Sequence, residues 1–148
     1  MIGMDILTIL SVVVVGLLAG EEVAVRWAVH PALVALDDAT QLRARQALIR
    51  TLRVLVPVIY FAGLAATIAD LVVGGPDGLR LAAVVALVVW AGATFGGTVI
   101  INSAVIAWDP DAPPANWRGL VVRWARIDVV RSSAAVVALV LVAVAAVL

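Results

Sequence analysis

Acidic, basic and imidazole side chains follow one another in GEEVAVRWAVHP, residues 20–31, directly after a long apolar run. Glu22, Arg26 and His30, which is the only histidine, recur every four residues, and this spacing places them on one stripe of a helix. A carboxylate or an imidazole can take a proton from a weakly acidic carbon, and arginine can stabilise the resulting anion. The segment is therefore a candidate for acid–base chemistry.

A second group of polar residues lies in the last third of the chain. Trp124, Asp128 and Arg131 follow the i, i+4, i+7 spacing of one helix face, and Asn102 lies near the end of the preceding apolar run. If the helices bring both groups to one depth, they form a single polar chamber. The predicted bases are Glu22, His30 and Asp128, and the predicted substrate-binding residues are Arg26, Asn102, Trp124 and Arg131.

Composition indicates which elements position these residues. The chain of 148 residues is 65% hydrophobic and 14% charged, with a mean hydropathy of +1.18, which is too apolar for a soluble domain of this size. Each of its apolar stretches reaches the roughly 20 residues that cross a hydrocarbon core as a helix. The sequence predicts an all-α fold, a four-transmembrane-helix bundle forming one domain over residues 1–148, with spans near residues 6–29, 54–73, 79–108 and 127–148.

Arginine distribution predicts the orientation of this bundle. Only Arg80 lies beside the second connection, whereas the other nine of the ten arginines lie around the first and third connections. Basic residues concentrate on the cytoplasmic side of membrane proteins, so we expect both chain termini outside. His30-Pro31 is expected to end the first helix, with Asp37 or Asp38 capping the second and Asn116 capping the fourth. Helices 2 and 4, at about 33 to 36 residues each, are then expected to extend into the cytoplasm.

Several functions lack the residues that they need. Without cysteine the chain has no thiolate chemistry, and without lysine it has no phosphate-binding loop. A single histidine excludes bis-histidine haem within one chain and gives no Glu-x-x-His pair. No metal site or dedicated cofactor is predicted, although a haem or metal held by His30 alone stays open. A net charge of zero gives no basic field for nucleic acid.

Four short stretches resemble one family of membrane proteins. They are VHPAL after the first span, RARQALIRTLRVLVP, the segment TVIIN, and the pattern W-x6-W-x3-D-x2-R over residues 117–131. Together they resemble the anthrone oxygenase-like integral membrane proteins, over nearly the whole chain. The resemblance implies a four-helix fold and oxidation of anthrones to anthraquinones without a dedicated cofactor. It also implies roles for His30 with Pro31, Asn102, Trp124 and Arg131.

The chain departs from that family at two positions. Ile100 stands where proline often precedes the Ile-Asn pair, and Asp128 stands where many members have histidine. If that histidine is the base of the family, Asp128 must take its place here. The resemblance thus favours an oxidoreductase that acts on an apolar, anthrone-like aromatic molecule by base-assisted proton abstraction.

Two other functional classes compete with this interpretation. In the first, the chain is a non-enzymatic membrane subunit or scaffold whose polar cluster only locks the helices together. An exposed small-residue face, from Gly92 to Gly97, then binds another membrane protein or a second copy of the chain. A transporter is less favoured, because few polar residues lie at mid-span. All three place the chain in a lipid bilayer as a multi-pass protein, and the bacterial members of the family favour a bacterial plasma membrane.

Overall fold

The computed structural model describes residues 6–148, which form four long helices joined by short loops. No strand occurs within residues 6–148, so the predicted all-α class is confirmed for that part of the chain. Each helix is long and apolar enough to cross a membrane. The first five residues of the predicted domain lie outside the described range. The helices are α1 (Ile6–Val34), α2 (Asp38–Gly74), α3 (Gly78–Ala107) and α4 (Trp117–Ala145).

Local sequence explains where α2 and α4 begin. The Asp37 side chain accepts a hydrogen bond from the Thr40 backbone amide at 3.0 Å, which caps α2 and lowers the pKa of that carboxyl. Capping by Asp37 is thus confirmed. Asn116 occupies the corresponding position before α4, but its side chain makes no capping hydrogen bond. The predicted start of α4 is right, whereas the predicted reason for it is wrong.

The prediction that His30-Pro31 ends the first helix is also wrong. A π-helical turn over Val25–Val29 precedes the proline, and α1 then continues through Pro31 to residue 34. The His30 amide donates to the carbonyl of Val25, five residues earlier. Proline has no amide proton and its ring crowds the carbonyl four residues before it, so a wider turn at this point lets the helix continue past the ring. A second π-helical turn, Thr94–Thr98, interrupts α3.

The helices differ in length less than predicted. Helix α2 has 37 residues, which is about 55 Å at 1.5 Å per residue. Helix α4 has 29 residues, the same as α1 and one fewer than α3. The expected extra length is therefore found for α2 alone. Its first turns pack Leu42 against Trp117 and Val121 of α4, which forms a small second core at that end of the bundle.

The main core lies between the four helices. Helix α1 packs on α2 and α4, while α3 packs most extensively on α4 and less on α2. Small side chains allow the close approach of α3 to α4, and they include Ala83, Ala86, Ala135 and Ala138. Gly97 contributes to the same contact, because a Cβ atom there would lie 2.7 Å from the Ile127 Cδ1 atom.

Apolar side chains also cover much of the outer surface. Val13, Leu17, Val58, Phe61 and Val85 are each more than half exposed. Contiguous apolar surface of this extent is unusual on a water-soluble monomer and marks contact with lipid or protein. The bundle is therefore compatible with contact with a lipid bilayer on all of its helices.

Candidate functional site

A cavity of about 340 Å³ opens between the helices at the end of the bundle that carries most of the arginines. Helices α2 and α3 pack on each other less extensively than the other neighbouring helices do, and the π turns of α1 and α3 both contribute to the wall of the cavity. Most of the wall is aliphatic or aromatic, which suits an apolar molecule. We call it the arginine-end cavity, and its polar lining residues are Glu21, His30, Arg45, Arg53, Trp90, Thr94, Thr98, Asn102, Ser103, Trp124 and Arg131.

Glu22 lies in the core beside this cavity rather than in its wall. Its side chain is 1% exposed, and its Oε1 atom accepts hydrogen bonds from Trp90 Nε1 at 2.8 Å and Arg131 Nη2 at 2.5 Å. These bonds join α1 to α3 and α4. The Trp90 ring in turn stacks on Tyr60 of α2, with ring centroids 4.4 Å apart. Glu22 thus connects all four helices, and one of the three predicted bases is held in an ion pair.

Glu21 faces the cavity in its place. Its carboxylate lines the wall, and its buried Oε2 atom has no hydrogen-bond partner. Within residues 6–148 it makes no ion pair. An unpaired carboxylate beside an apolar cavity has a free lone pair to accept a proton, so Glu21 meets the geometric requirement for a general base better than Glu22 does.

Asp128 and Arg26 both lie outside the wall of the cavity. Asp128 is 2% exposed, and its Oδ1 atom is 3.7 Å from Arg131 Nη1, too long for a hydrogen bond. Arg26 donates to the Ser132 hydroxyl at 3.0 Å and lies over the Trp27 ring on the outer side of α1. Asp128 therefore belongs to the ion-pair network of Arg131, and Arg26 belongs to the contact between α1 and α4.

His30 lines the cavity together with Arg45 of α2. Arg45 Nη2 donates to His30 Nδ1 at 3.1 Å, and Trp124 lies beside both, 5.5 Å from the His30 ring centroid and 5.6 Å from the guanidinium carbon. A guanidinium has only donors, so the histidine accepts through Nδ1 and its ring proton lies on Nε2. In this arrangement His30 can donate a hydrogen bond into the cavity, but it has no free lone pair with which to act as a base.

The remaining predicted binding residues meet at the same cavity. Asn102 of α3 and Trp124 and Arg131 of α4 all line its wall. Helix spacing alone predicted the Trp124 and Arg131 pair, since both lie on the inner face of α4. Four of the seven predicted site residues thus line the cavity: His30, Asn102, Trp124 and Arg131.

The π turn breaks the predicted stripe of Glu22, Arg26 and His30, because it moves His30 to another face of α1. Constant steps of four residues hold only in a regular helix, and the π turn inserts a step of five. The cavity is instead lined by Glu21, Val25 and His30, whereas Glu22 and Arg26 point toward α4.

Arg45 was not among the predicted site residues, although the sequence carries a signal for it. Leu42, Arg45, Ile49 and Leu52 recur at helical spacing along α2, which places Arg45 on the apolar inner face, while Arg43 lies on the exposed face. A charged residue on an apolar stripe is an unusual feature in sequence. Glu21 had no comparable signal, because only the π turn decides which of two adjacent glutamates faces the cavity.

No group of three or more His, Cys, Asp or Glu side chains within residues 6–148 is arranged to hold a metal ion. Comparison with protein-family models, curated proteins and solved structures finds no match to this chain. The resemblance to anthrone oxygenase-like proteins therefore stays a prediction. Functional interpretation rests on the cavity and its polar wall.

Proposed function

We propose that the chain is a multi-pass membrane protein, in a bacterial plasma membrane, whose arginine-end cavity opens toward the cytoplasm. The four apolar helices and their exposed aliphatic surface support insertion into a bilayer. The concentration of arginines at the cavity end supports the orientation, with both termini outside. A molecule that partitions into the bilayer can then reach the cavity between α2 and α3.

Within that cavity, the proposed reaction is oxygenase-like oxidation of an apolar, anthrone-like aromatic molecule. A base removes a proton from an activated CH2 group, and the resulting carbanion transfers electrons to dioxygen. The balanced conversion is CH2 + O2 → C=O + H2O, so one oxygen atom enters the product and the other leaves as water. The observation that carries this proposal is the unpaired Glu21 carboxylate in the wall of an otherwise largely apolar cavity.

The proposed roles follow the positions of the side chains. Glu21 is the base, in place of Glu22 and Asp128, whose carboxylates lie in the Arg131 network. His30 Nε2 and the Asn102 amide are available as donors to a developing enolate or phenolate oxygen. Trp124 supplies an aromatic face for the ring system of the substrate.

The test is oxidation of anthrone by the protein in lipid nanodiscs, with oxygen uptake and the absorbance of the quinone followed together. Wild-type protein is expected to consume one dioxygen per anthrone, and Glu21→Gln to react at least about 100-fold more slowly, because a positioned base contributes roughly 10²–10⁴ to a rate. The melting temperature of Glu21→Gln should not fall, since the carboxylate makes no ion pair within residues 6–148.

Arg50→Gln is the matched control, because Arg50 is an exposed residue of α2 outside the cavity wall. Its rate should equal that of wild type, and empty nanodiscs give the background oxidation of anthrone. A wild-type rate no faster than this background, or an unchanged rate in Glu21→Gln, would reject the proposed reaction.

A structural scaffold is the second candidate function. It is favoured by the Glu22, Trp90 and Arg131 network, which ties three helices together, and by Gly92 and Gly96, which leave open space on the outer face of α3. This candidate predicts that the purified protein retains a membrane partner or a second copy of the chain, and that Gly96→Leu removes it. Retention of the partner by Gly96→Leu would count against the scaffold.

A further inference from the structure

Arg45 is a buried cation for which residues 6–148 supply no anion. The residue is 6% exposed and lies in the wall of the arginine-end cavity. It makes no ion pair within residues 6–148, and its Nε atom is buried without a hydrogen-bond partner. Its only side-chain hydrogen-bond partner there is the His30 ring, which accepts through Nδ1. A buried charge without a counter-ion is costly to a folded protein, so its retention points to a ligand.

The other arginines of the cavity differ from Arg45 in this respect. Arg131 is neutralised by Glu22 at 2.5 Å, with Asp128 close by. Arg53 also lines the cavity, but it is exposed rather than buried. Of the three arginines that line the cavity, Arg45 is thus the one that is buried without an ion pair within residues 6–148.

Side chains around Arg45 fix the guanidinium in place. Trp124 covers one side of the group, and His30 occupies one of its amino groups. A guanidinium that is already positioned binds an oxyanion through charge-assisted hydrogen bonds with little further loss of side-chain freedom. The buried hydroxyls of Thr94 and Thr98, which also lack partners within residues 6–148 and line the same wall, are further donors.

We propose that the arginine-end cavity binds an organic acid, with its carboxylate or phenolate oxygen on Arg45 and its apolar body along the aliphatic wall between α2 and α3. A cavity of about 340 Å³ is at the lower end of the range for small-molecule sites, roughly 300–1,000 Å³, so the body is of modest size. The inference rests on the proposed function for its cavity and deepens it by naming the group that Arg45 binds: a carboxylate, or the phenolate oxygen that an anthrone-like molecule gives on losing a proton.

The test measures binding rather than turnover. Wild-type protein in nanodiscs of neutral phosphatidylcholine is titrated with anthracenecarboxylate and with its methyl ester, and quenching of tryptophan fluorescence is followed after subtraction of empty nanodiscs. We expect the acid to bind at least tenfold more tightly, although the ester partitions better into lipid. Equal affinity, or preference for the ester, would overturn the inference without the need for any variant.

Variants then locate the effect. Arg45→Gln should weaken acid binding by about tenfold to a hundredfold and leave ester binding unchanged, whereas Arg50→Gln should change neither. If folded Arg45→Gln keeps its preference for the acid, the oxyanion lies elsewhere and the inference fails. Glu21→Gln should keep that preference, so loss of turnover with intact acid binding separates the reaction from the binding site.

Two sources of the acid can be distinguished by competition. Palmitate that displaces anthracenecarboxylate in an Arg45-dependent way would extend the site to fatty acids from the bilayer. Nanodiscs prepared with phosphatidylglycerol test for competition from a lipid headgroup. Weaker binding of anthracenecarboxylate in these nanodiscs would support the oxyanion site and would identify an anionic lipid as its occupant. If neither competes, the site is selective for an aromatic acid.

Discussion

Asp70 and Glu22 are both buried carboxylates that pair with an arginine, but their surroundings differ. At one end of the bundle, Asp70 Oδ1 accepts from the Thr8 hydroxyl at 2.7 Å and Asp70 Oδ2 accepts from Arg80 Nε at 2.8 Å. At the other end, Glu22 Oε1 accepts two hydrogen bonds while its buried Oε2 has no partner. The carboxylate of Asp70 is satisfied on both oxygens, and that of Glu22 on only one.

This difference extends to whole clusters. Among residues 6–148, every buried side-chain polar atom without a partner lies at the arginine-rich end, except the Ser11 hydroxyl. The Asp70 cluster, formed by Thr8, Asp70, Asp77 and Arg80, contributes nothing to the wall of the arginine-end cavity. Buried polar groups are normally paired, and unpaired ones concentrate where a ligand or reaction uses them. The Asp70 cluster is therefore structural, and the opposite cluster is the functional candidate.

The largest difference between the two clusters should come from Arg131→Met. This change leaves Glu22 and Asp128 buried without their cation, and breaking a buried pair from one side costs about 3–5 kcal/mol. Denaturation by SDS in mixed micelles would measure the free energy of unfolding. The loss should be largely recovered by adding Glu22→Leu and Asp128→Leu, which remove the stranded carboxylates. A loss below 1 kcal/mol would mean that the pair is not desolvated.

Asp70→Asn should have the next largest effect, at about 2 kcal/mol. Arg80 then keeps only Asp77, at 3.9 Å, and its side chain is 17% exposed, so water compensates part of the loss. Binding of anthracenecarboxylate and oxidation of anthrone should stay at wild-type levels, because the site lies at the other end of the bundle. If Asp70→Asn loses the binding or the oxidation while its free energy of unfolding is unchanged, the two ends of the bundle are coupled, and the Asp70 cluster is not purely structural.

Trp90→Phe should have the smallest effect, at about 1–2 kcal/mol. It removes the Nε1 donor to Glu22 but keeps an aromatic ring against Tyr60 and leaves the Arg131 pair in place. The same denaturation assay would measure the loss, and Trp90→Leu is the comparison that also removes the stacking. Equal losses in both variants would mean that the stacking on Tyr60 contributes nothing, and no loss in Trp90→Phe would mean that the indole hydrogen bond contributes nothing.

Hydropathy was enough to predict the helical class and the four long apolar helices, because each helix contains a continuous apolar run. The i, i+4, i+7 spacing of Trp124, Asp128 and Arg131 placed Trp124 and Arg131 correctly because α4 is regular over its whole length. Prediction failed for the face of α1, because Pro31 was expected to end the helix, whereas a π turn before it lets the helix continue. For that reason Glu22 was predicted to face the cavity, whereas Glu21 lines its wall.

Arg45 was missed for a different reason. Its burial is consistent with its helical spacing, but its lack of an acidic partner depends on which residues of other helices reach it. A single sequence does not show such long-range contacts. The same limit applies to Gln46, which donates to the carbonyls of Val105 and Trp108 at 2.9 Å and ties α2 to the end of α3.

The π turns of α1 and α3 also bear on how this bundle could change over evolutionary time. One additional residue in a helix rotates everything beyond it by about 100°. An insertion or deletion within Val25–Val29 or Thr94–Thr98 would therefore exchange the residues that face the cavity while the other end of the same helix kept its neighbours. Gain or loss of one residue at these turns therefore changes several wall residues at once, which a substitution at a single wall position does not do.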